Sequence, residues 1–461
     1  MNVVLLVIDS LRARSLTALG GNGPPTPFLD RLRRETLHFT RAYATDCWTL
    51  PSHASMFTGL LPSEHGAHFQ HMALRQDVPT VAESLSDRGL QTSLVTRNFV
   101  FDGTIPGITR GFQQQRAICA PTDRRSLVAL FLAAAKPRVR RHLRQTGFFH
   151  PFHRDSTEFL QRFARALLPA DEPALGEVLA QMRRFRARRR PYFIFCNLYD
   201  VHAPYPPTNT SLIEPPTSVR TLIDNLRFPW VMSRLGAHTY LRSSFRLGDT
   251  NRLLLLRRYE RAIALMDAKL SAFYESTTSE GLLDDTLLIV TSDHGEAFGE
   301  HDLYLHDASV YNTHLHVPLW IRDPRRRAER IKDIVSLRGL AALMVDAGTG
   351  GDGTGTLVDS SWRAAHPVAV AEHFHYLHAR RADPRYRQNV ACAIAGDEKW
   401  VVRRDGVRRY DLTADPDELR PQPAELADVA AAIRSDAVVD RLRTTVASAY
   451  SSGRVPRFAT R

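Results

Sequence analysis

The chain has 461 residues, 43% hydrophobic and 24% charged, with a formal net charge of +12. This length exceeds one minimal core and suits a large α/β domain or a large plus a small one, with an ordinary globular composition. No apolar run reaches the roughly 18 residues a membrane-spanning helix needs; the longest, Leu127 to Ala135, is closed by Lys136 and Pro137.

The positive field attracts anions such as phosphate esters, nucleic acid, anionic lipid or acidic glycan, and does not choose among them. Cys47, Cys119, Cys196 and Cys392 show no paired spacing, so neither a zinc cage nor a disulfide framework is indicated. Met1 to Asp9 lacks a basic start and a cleavage site and reads as a buried strand; the expectation is a cytoplasmic protein.

In chain order, Val3 to Ile8 is an apolar strand run followed at once by Asp9 and Ser10. Thr92 to Thr96 is the next such run. Arg124 to Arg190 reads as an insertion of helical pattern, with basic clusters at Arg138, Arg140, Arg141 and Arg144 and again from Arg183 to Arg190. Its Leu127 to Arg144 stretch leaves peripheral membrane contact open alongside a plainly solvated face. Tyr192 to Leu198 is a third strand, followed by Asp200 and His202, and Thr286 to Thr291 a fourth, followed by Asp293 and His294. Gly348 to Gly355 is a glycine-rich loop or boundary. Beyond it, Val368 to Glu372 and Lys399 to Val402 read as strands, with Asp405-Gly406 as a hairpin turn.

Continuous apolar strands separated by helical stretches predict an α/β fold whose mostly parallel sheet is sandwiched by helices. The expected division is a catalytic domain over 1–345, carrying the basic insertion at about 120–190, and a smaller C-terminal α+β subdomain over 346–461. In such sheets ligands bind beyond the carboxyl ends of the strands. Asp9, Asp200 with His202, and Asp293 with His294 should therefore meet in one crevice.

Asp9, Thr49, Asp293 and His294 together supply two carboxylates, a hydroxyl and an imidazole, enough to ligate a divalent cation. Such an ion lowers the hydroxyl pKa and makes Thr49 a strong nucleophile. Taken singly, Asp9 and Thr49 would read as helix caps. The ligand set, mostly hard oxygen, suits Ca²⁺, Mg²⁺ or Mn²⁺ better than Zn²⁺.

The same residues carry a family resemblance. Val7-Ile8-Asp9-Ser10-Leu11-Arg12, Thr49 to Gly59 followed by Pro62 and His65-Gly66, Thr291 to His301, His316 to Leu319 and Lys399 to Pro416 resemble, in order, the motifs of the sulfatase family of the alkaline phosphatase superfamily. The resemblance implies that fold, Thr49 as attacking residue, His202 and His306 as catalytic partners, and His53 and His301 as substrate-binding residues or their hydrogen-bonding support. It implies one metal ion, because Asp200 and His202 lack the D-x-x-x-H spacing of two-metal relatives.

Departures matter. Sulfatases carry Cys or Ser, oxidised to formylglycine, where this chain has Thr49; the extra methyl on Cβ bars an aldehyde. His53 replaces the signature arginine, Ser10 the second aspartate, and His306 a lysine. A direct threonine nucleophile is similar to the family's phosphodiesterases and its phosphoglycerol or phosphoethanolamine transferases. The expected partner is therefore an anionic ester substrate, glycan or lipid linked, with phosphate esters favoured. A conventional sulfuric ester hydrolase is one alternative. A basic nucleic-acid or membrane-binding protein on a degenerate hydrolase fold is another. No zinc finger, aromatic RNA-binding signature or helix-turn-helix supports nucleic-acid recognition. The sequence leaves the oligomeric state open.

Overall fold

The computed structural model describes residues 1–117, 174–203, 247–306, 309–375 and 388–447, with 205, 224, 227, 228 and 231 between them. Leu127 to Arg144, the stretch that leaves peripheral membrane contact open, and most of the basic insertion lie outside the described residues.

The main sheet is built from β1 (Asn2–Ile8), β2 (Leu37–Tyr43), β3 (Gln91–Thr96), β4 (Gln114–Ala117), β5 (Tyr192–Leu198), β6 (Thr286–Thr291), β9 (His316–Arg322) and β10 (Glu329–Ser336), with the short hairpin β7 (Ala297–Phe298) and β8 (Tyr304–Leu305) beside it. Its order is β10-β2-β9-β6-β1-β5-β3-β4. Within it β9 alone runs antiparallel to its neighbours, so the sheet is mostly parallel, as the apolar runs predict. Because β1 is apolar from Val3 to Ile8, it can face water on neither side. It sits between β5 and β6, in register Val3 with Phe193 and Leu287, and every one of these side chains is buried.

Helices cover both faces. Val3, Leu5 and Val7 point into one core with the Thr49–Thr58 and Leu340–Gly348 helices, while Val4, Leu6 and Ile8 point into the other with the Ala174–Ala187 and Asp249–Ser279 helices. The period-two alternation of a strand divides its side chains this way.

A second sheet, antiparallel, runs β11 (Val368–His373), β12 (Val390–Ala395), β13 (Glu398–Arg403), β14 (Gly406–Asp411) and β15 (Gln422–Ala424) in chain order. The expected Asp405-Gly406 turn joins β13 to β14, where Arg403 pairs with Gly406. One face of this sheet, through Ala371, Cys392, Ile394 and Val401, belongs to the same core as the main sheet. Its other face packs on the C-terminal helices through Trp400, Val429 and Leu442. Among the described residues, no helix is long and apolar enough to cross a membrane.

Burial sets an acid limit on this core. Desolvation lowers His38, His314 and His316 to about 4 and His65 to about 3. The unfolded chain takes up protons near the ordinary histidine pKa of about 6.5, whereas the folded one resists until about 4. Stability is therefore full above about pH 6.5 and is lost as pH falls toward 4, because the unfolded state binds more protons there. The thermal midpoint should fall steadily across that window. A midpoint flat from pH 7 to 4.5 would show that these imidazoles take up protons as readily in the fold as in the unfolded chain.

Candidate active site

The carboxyl ends of β1 and β6 point to the same edge of the sheet, and Asp9 and Asp293 follow those ends directly or after one residue. Ser10 sits at φ 66°, a left-handed turn that stops the strand and swings its amide to Asp293 Oδ1 at 3.2 Å. Ser292 Oγ accepts from the Leu11 amide, and the Tyr259 phenol donates to the Ser10 carbonyl. The two strand ends are thus tied together by bonds from main-chain amides after β1 to side chains after β6. Gly295 is needed where it stands: an added Cβ would lie 2.1 Å from the Thr313 carbonyl oxygen.

Asp9, Asp293 and His294 are fully buried, and one donor atom from each lies within 4.8 Å of the others. His294 Nε2 is 3.3 Å from Asp293 Oδ2 and 3.7 Å from Asp9 Oδ1. Its other nitrogen, Nδ1, lies 2.9 Å from the Gly295 carbonyl oxygen and donates there, leaving Nε2 as a lone-pair donor toward the carboxylates. Asp293 Oδ1 accepts from the amides of Ser10 and His294, while Oδ2 is buried with no hydrogen-bond partner. A buried carboxylate oxygen with no donor is costly unless a cation faces it. This orphaned atom, amid oxygen and imidazole donors, fits the set to a divalent ion.

Electrostatics point the same way. Burial and then the Asp9 charge push the Asp293 carboxyl well above the usual range. Burial also opposes ionisation of Asp9, but the imidazoles of His202 and His294 outweigh it and hold the group near 2. Burial and the neighbouring His306 keep His294 well below the usual histidine value. A neutral imidazole beside crowded carboxyls is what a metal ligand set requires.

Thr49 enters the cluster from the first turn of the Thr49–Thr58 helix, with Oγ1 3.3 Å from His294 Nε2. Trp48 is the helix N-cap, extended and with no side-chain cap bond, so Thr49 is not a cap. Ser52, one turn later, donates to the Asp293 carbonyl at 2.6 Å and fastens the helix to β6's end. Gly59, at φ 77°, closes the helix.

His53 is fully buried, its Nδ1 2.8 Å from the Thr49 carbonyl and 3.5 Å from Asp293 Oδ2. Phe101 and Phe195 meet its ring edge-on at 5.0 and 5.5 Å. It braces Thr49 and Asp293 from within the protein, which makes it a support more than a solvent-facing substrate contact. His306 stacks on His294 with centroids 4.4 Å apart, and its Nδ1 lies 3.1 Å from Glu296 Oε1. His202 meets His306 edge-on at 4.8 Å and stacks on Tyr199. Asp200 instead pairs with Lys269 and takes no part.

His301 goes elsewhere. At φ 53° it lies flat on Tyr311, 3.7 Å between centroids, close to Glu418 and Lys399 of the second-sheet region.

Three further residues join the site. Asn98 and Asn197 both donate to Asp9 Oδ2, at 2.9 and 3.2 Å, leaving Oδ1 turned toward His294. The only sequence signal was Asn197 itself, a polar residue inside the apolar run of β5. Glu296, fully buried, orients His306.

The chain's residues 1–348 match the model of the Sulfatase family. Arylsulfatase K of Rattus norvegicus is 22% identical over 463 residues, covering 93% of this chain and 76% of the relative. The structure of the phosphonate monoester hydrolase of Agrobacterium radiobacter superposes with a TM-score of 0.64 at 20% identity, covering 96% of this chain and 95% of that one. A 2-O GAG sulfatase gives 0.64 at 14% identity, over 96% and 92%. The motif order, the mostly parallel sheet with its separate antiparallel one, and these matches agree: the chain belongs to the sulfatase family of hydrolases, within the alkaline phosphatase superfamily.

Proposed function

We propose that the protein is a metal-dependent ester hydrolase that uses Thr49 directly as its nucleophile and turns over phosphate esters, diesters above all, better than sulfate esters. The observation that carries this reading is the meeting of the Thr49 hydroxyl with Asp9, Asp293 and His294 at one sheet edge, around an unpartnered carboxylate oxygen. Asp9, Asp293, His294 and Thr49 would hold one divalent ion, Ca²⁺, Mg²⁺ or Mn²⁺ by its oxygen-rich set, supplying positive charge that lowers the hydroxyl pKa and offsets the anionic ester.

Thr49 Oγ1 attacks phosphorus, and the electron pair of the breaking P–O bond passes to the leaving oxygen. His306, held at Nδ1 by Glu296, delivers a proton from Nε2 to that oxygen. His202, edge-on to His306, binds a non-bridging oxygen. The amides at the start of the Thr49–Thr58 helix add a favourable field for the anion. Water, or an acceptor hydroxyl in a transferase, then attacks the phosphothreonine in line. Its proton passes to His306, the P–Oγ1 bond breaks, and the electron pair returns to Thr49 Oγ1, freeing the nucleophile and releasing the phosphoryl product. A sulfated threonine would lack the geminal hydroxyl with which hydrated formylglycine expels sulfate, so sulfate esters should stall after one turnover. A fold shared with a phosphonate monoester hydrolase is compatible with a phosphorus centre.

The test is a screen of matched aryl phosphate diester, phosphate monoester, phosphonate ester and sulfate, each with Ca²⁺, Mg²⁺, Mn²⁺ and Zn²⁺. Diester turnover should exceed sulfate turnover. Steady multiple turnover of the sulfate, faster than the diester under every metal, would replace this reading with a sulfuric ester hydrolase.

A further inference from the structure

Asp46, Cys47 and His373 make a second cluster outside the site described above. All three are buried, with one donor atom from each within 4.8 Å of the others. No cysteine spacing announces it, because Cys47 and His373 stand 326 residues apart. The Glu372 amide bonds the Thr45 carbonyl at 2.9 Å and clamps the segment before the nucleophile helix against the end of β11. Trp48 stacks on Phe69 at 3.9 Å, and Phe69 meets His373 edge-on at 5.9 Å, so an aromatic wall lines the cluster.

The geometry centres on one nitrogen. His373 Nδ1 is 2.9 Å from Asp46 Oδ1 and 3.4 Å from Cys47 Sγ. A single proton on Nδ1 is directed at one of these atoms, whereas a cation among the three satisfies carboxylate, thiolate and imidazole together. Tetrahedral ligation at the usual ~2.0–2.3 Å bond lengths places donor atoms roughly 3.3–3.6 Å apart. The Cys47–His373 separation already matches, and the Asp46–His373 pair needs to open by about 0.4 Å. The Thr45 hydroxyl next in the chain is buried with no hydrogen-bond partner, and it or a water can complete a fourth position.

We propose that Asp46 Oδ1, Cys47 Sγ and His373 Nδ1 form a second, non-catalytic metal site that takes a thiolate-accepting divalent ion, Zn²⁺ or its mimic Co²⁺. Soft sulfur beside imidazole selects such ions, unlike the oxygen-rich set at Asp9 and Asp293. The ion staples the segment leading into Thr49 to the second sheet.

Full-length protein stripped with chelator is titrated with Co²⁺ and followed by absorption. The expected result is a near-ultraviolet sulfur-to-cobalt charge-transfer band that saturates at an amplitude corresponding to one sulfur-bound Co²⁺ per chain. The band should persist in Asp293→Asn, which alters the catalytic set alone. It should be absent in Cys47→Ser and lost or strongly weakened in His373→Gln, which keeps every thiol. Absence of the band from the unaltered protein, or its survival in Cys47→Ser, overturns the proposal; so does a full band in His373→Gln.

Discussion

Thr49→Ala should lower kcat by on the order of 10³-fold or more, as expected when one member of a concerted catalytic set is removed, with the fold intact. The structure separates this from a structural effect. Thr49 is the first residue of its helix, Trp48 is the N-cap, and no threonine side-chain cap bond is lost. Alanine is the better helix former by a few tenths of a kcal/mol, up to about 0.7. The thermal midpoint should therefore hold steady while turnover collapses. The Thr49 hydroxyl lies 3.3 Å from His294 Nε2, in the proposed metal set, so a modest loss of metal affinity is expected as well. Near-normal turnover at saturating metal would remove Thr49 from the chemistry.

Asp293→Asn should have the largest effect on metal binding, and in the metal-free protein its effect on stability should have the opposite sign. Asparagine keeps an oxygen for the Ser10 and His294 amides but loses the charge at Oδ2, which is buried and unpartnered. Loss of an outer-sphere partner typically costs 10–100-fold in metal affinity; loss of Asp293, a direct ligand in the proposed set, should cost about 100-fold or more, and turnover with it. In the absence of metal the same change relieves a carboxyl that burial and Asp9 make reluctant to ionise. The metal-free variant should thus melt no lower than the unaltered protein, while the metal-induced rise in midpoint disappears, since that rise follows ligand affinity for the folded state. Calorimetric titration with Ca²⁺, Mg²⁺ and Mn²⁺, beside thermal scans with and without chelator, reads both. Unchanged affinity for all three would sink the ligand assignment.

The four apolar runs at Val3, Thr92, Tyr192 and Thr286 are all strands, and they lie side by side in the sheet. They were legible because strands buried on both faces are mostly apolar, with small or hydrogen-bonded exceptions such as Thr92, Ser93 and Asn197. Asp9, Asp293 and His294 were legible for the complementary reason: charge placed directly after such runs has to emerge at one sheet edge. Strands β2, β9 and β10 were harder. Leu37 to Tyr43 carries His38, Thr40 and Arg41, β9 contains Pro318, and Glu329 to Ser336 is an edge strand with exposed charged positions. None of these has the unbroken apolar pattern of an interior parallel strand.

The sequence by itself determined the class of fold, the strand ends that carry charge, and a set of residues able to hold a cation beside a hydroxyl. Those are consequences of local pattern and spacing. Only the tertiary structure decided which amides turn Asp9 toward His294, because Asn98 and Asn197 reach it across sequence separations of 89 and 188 residues. It also decided that Glu296 orients His306, that a left-handed backbone and the Tyr311 ring draw His301 toward the second-sheet region, and that His373 returns from the second sheet to meet Asp46 and Cys47. Hydrogen bonds and ring stacking act over a few ångströms in space, and no periodicity along the chain records which distant residues the packing of two sheets will bring within that range.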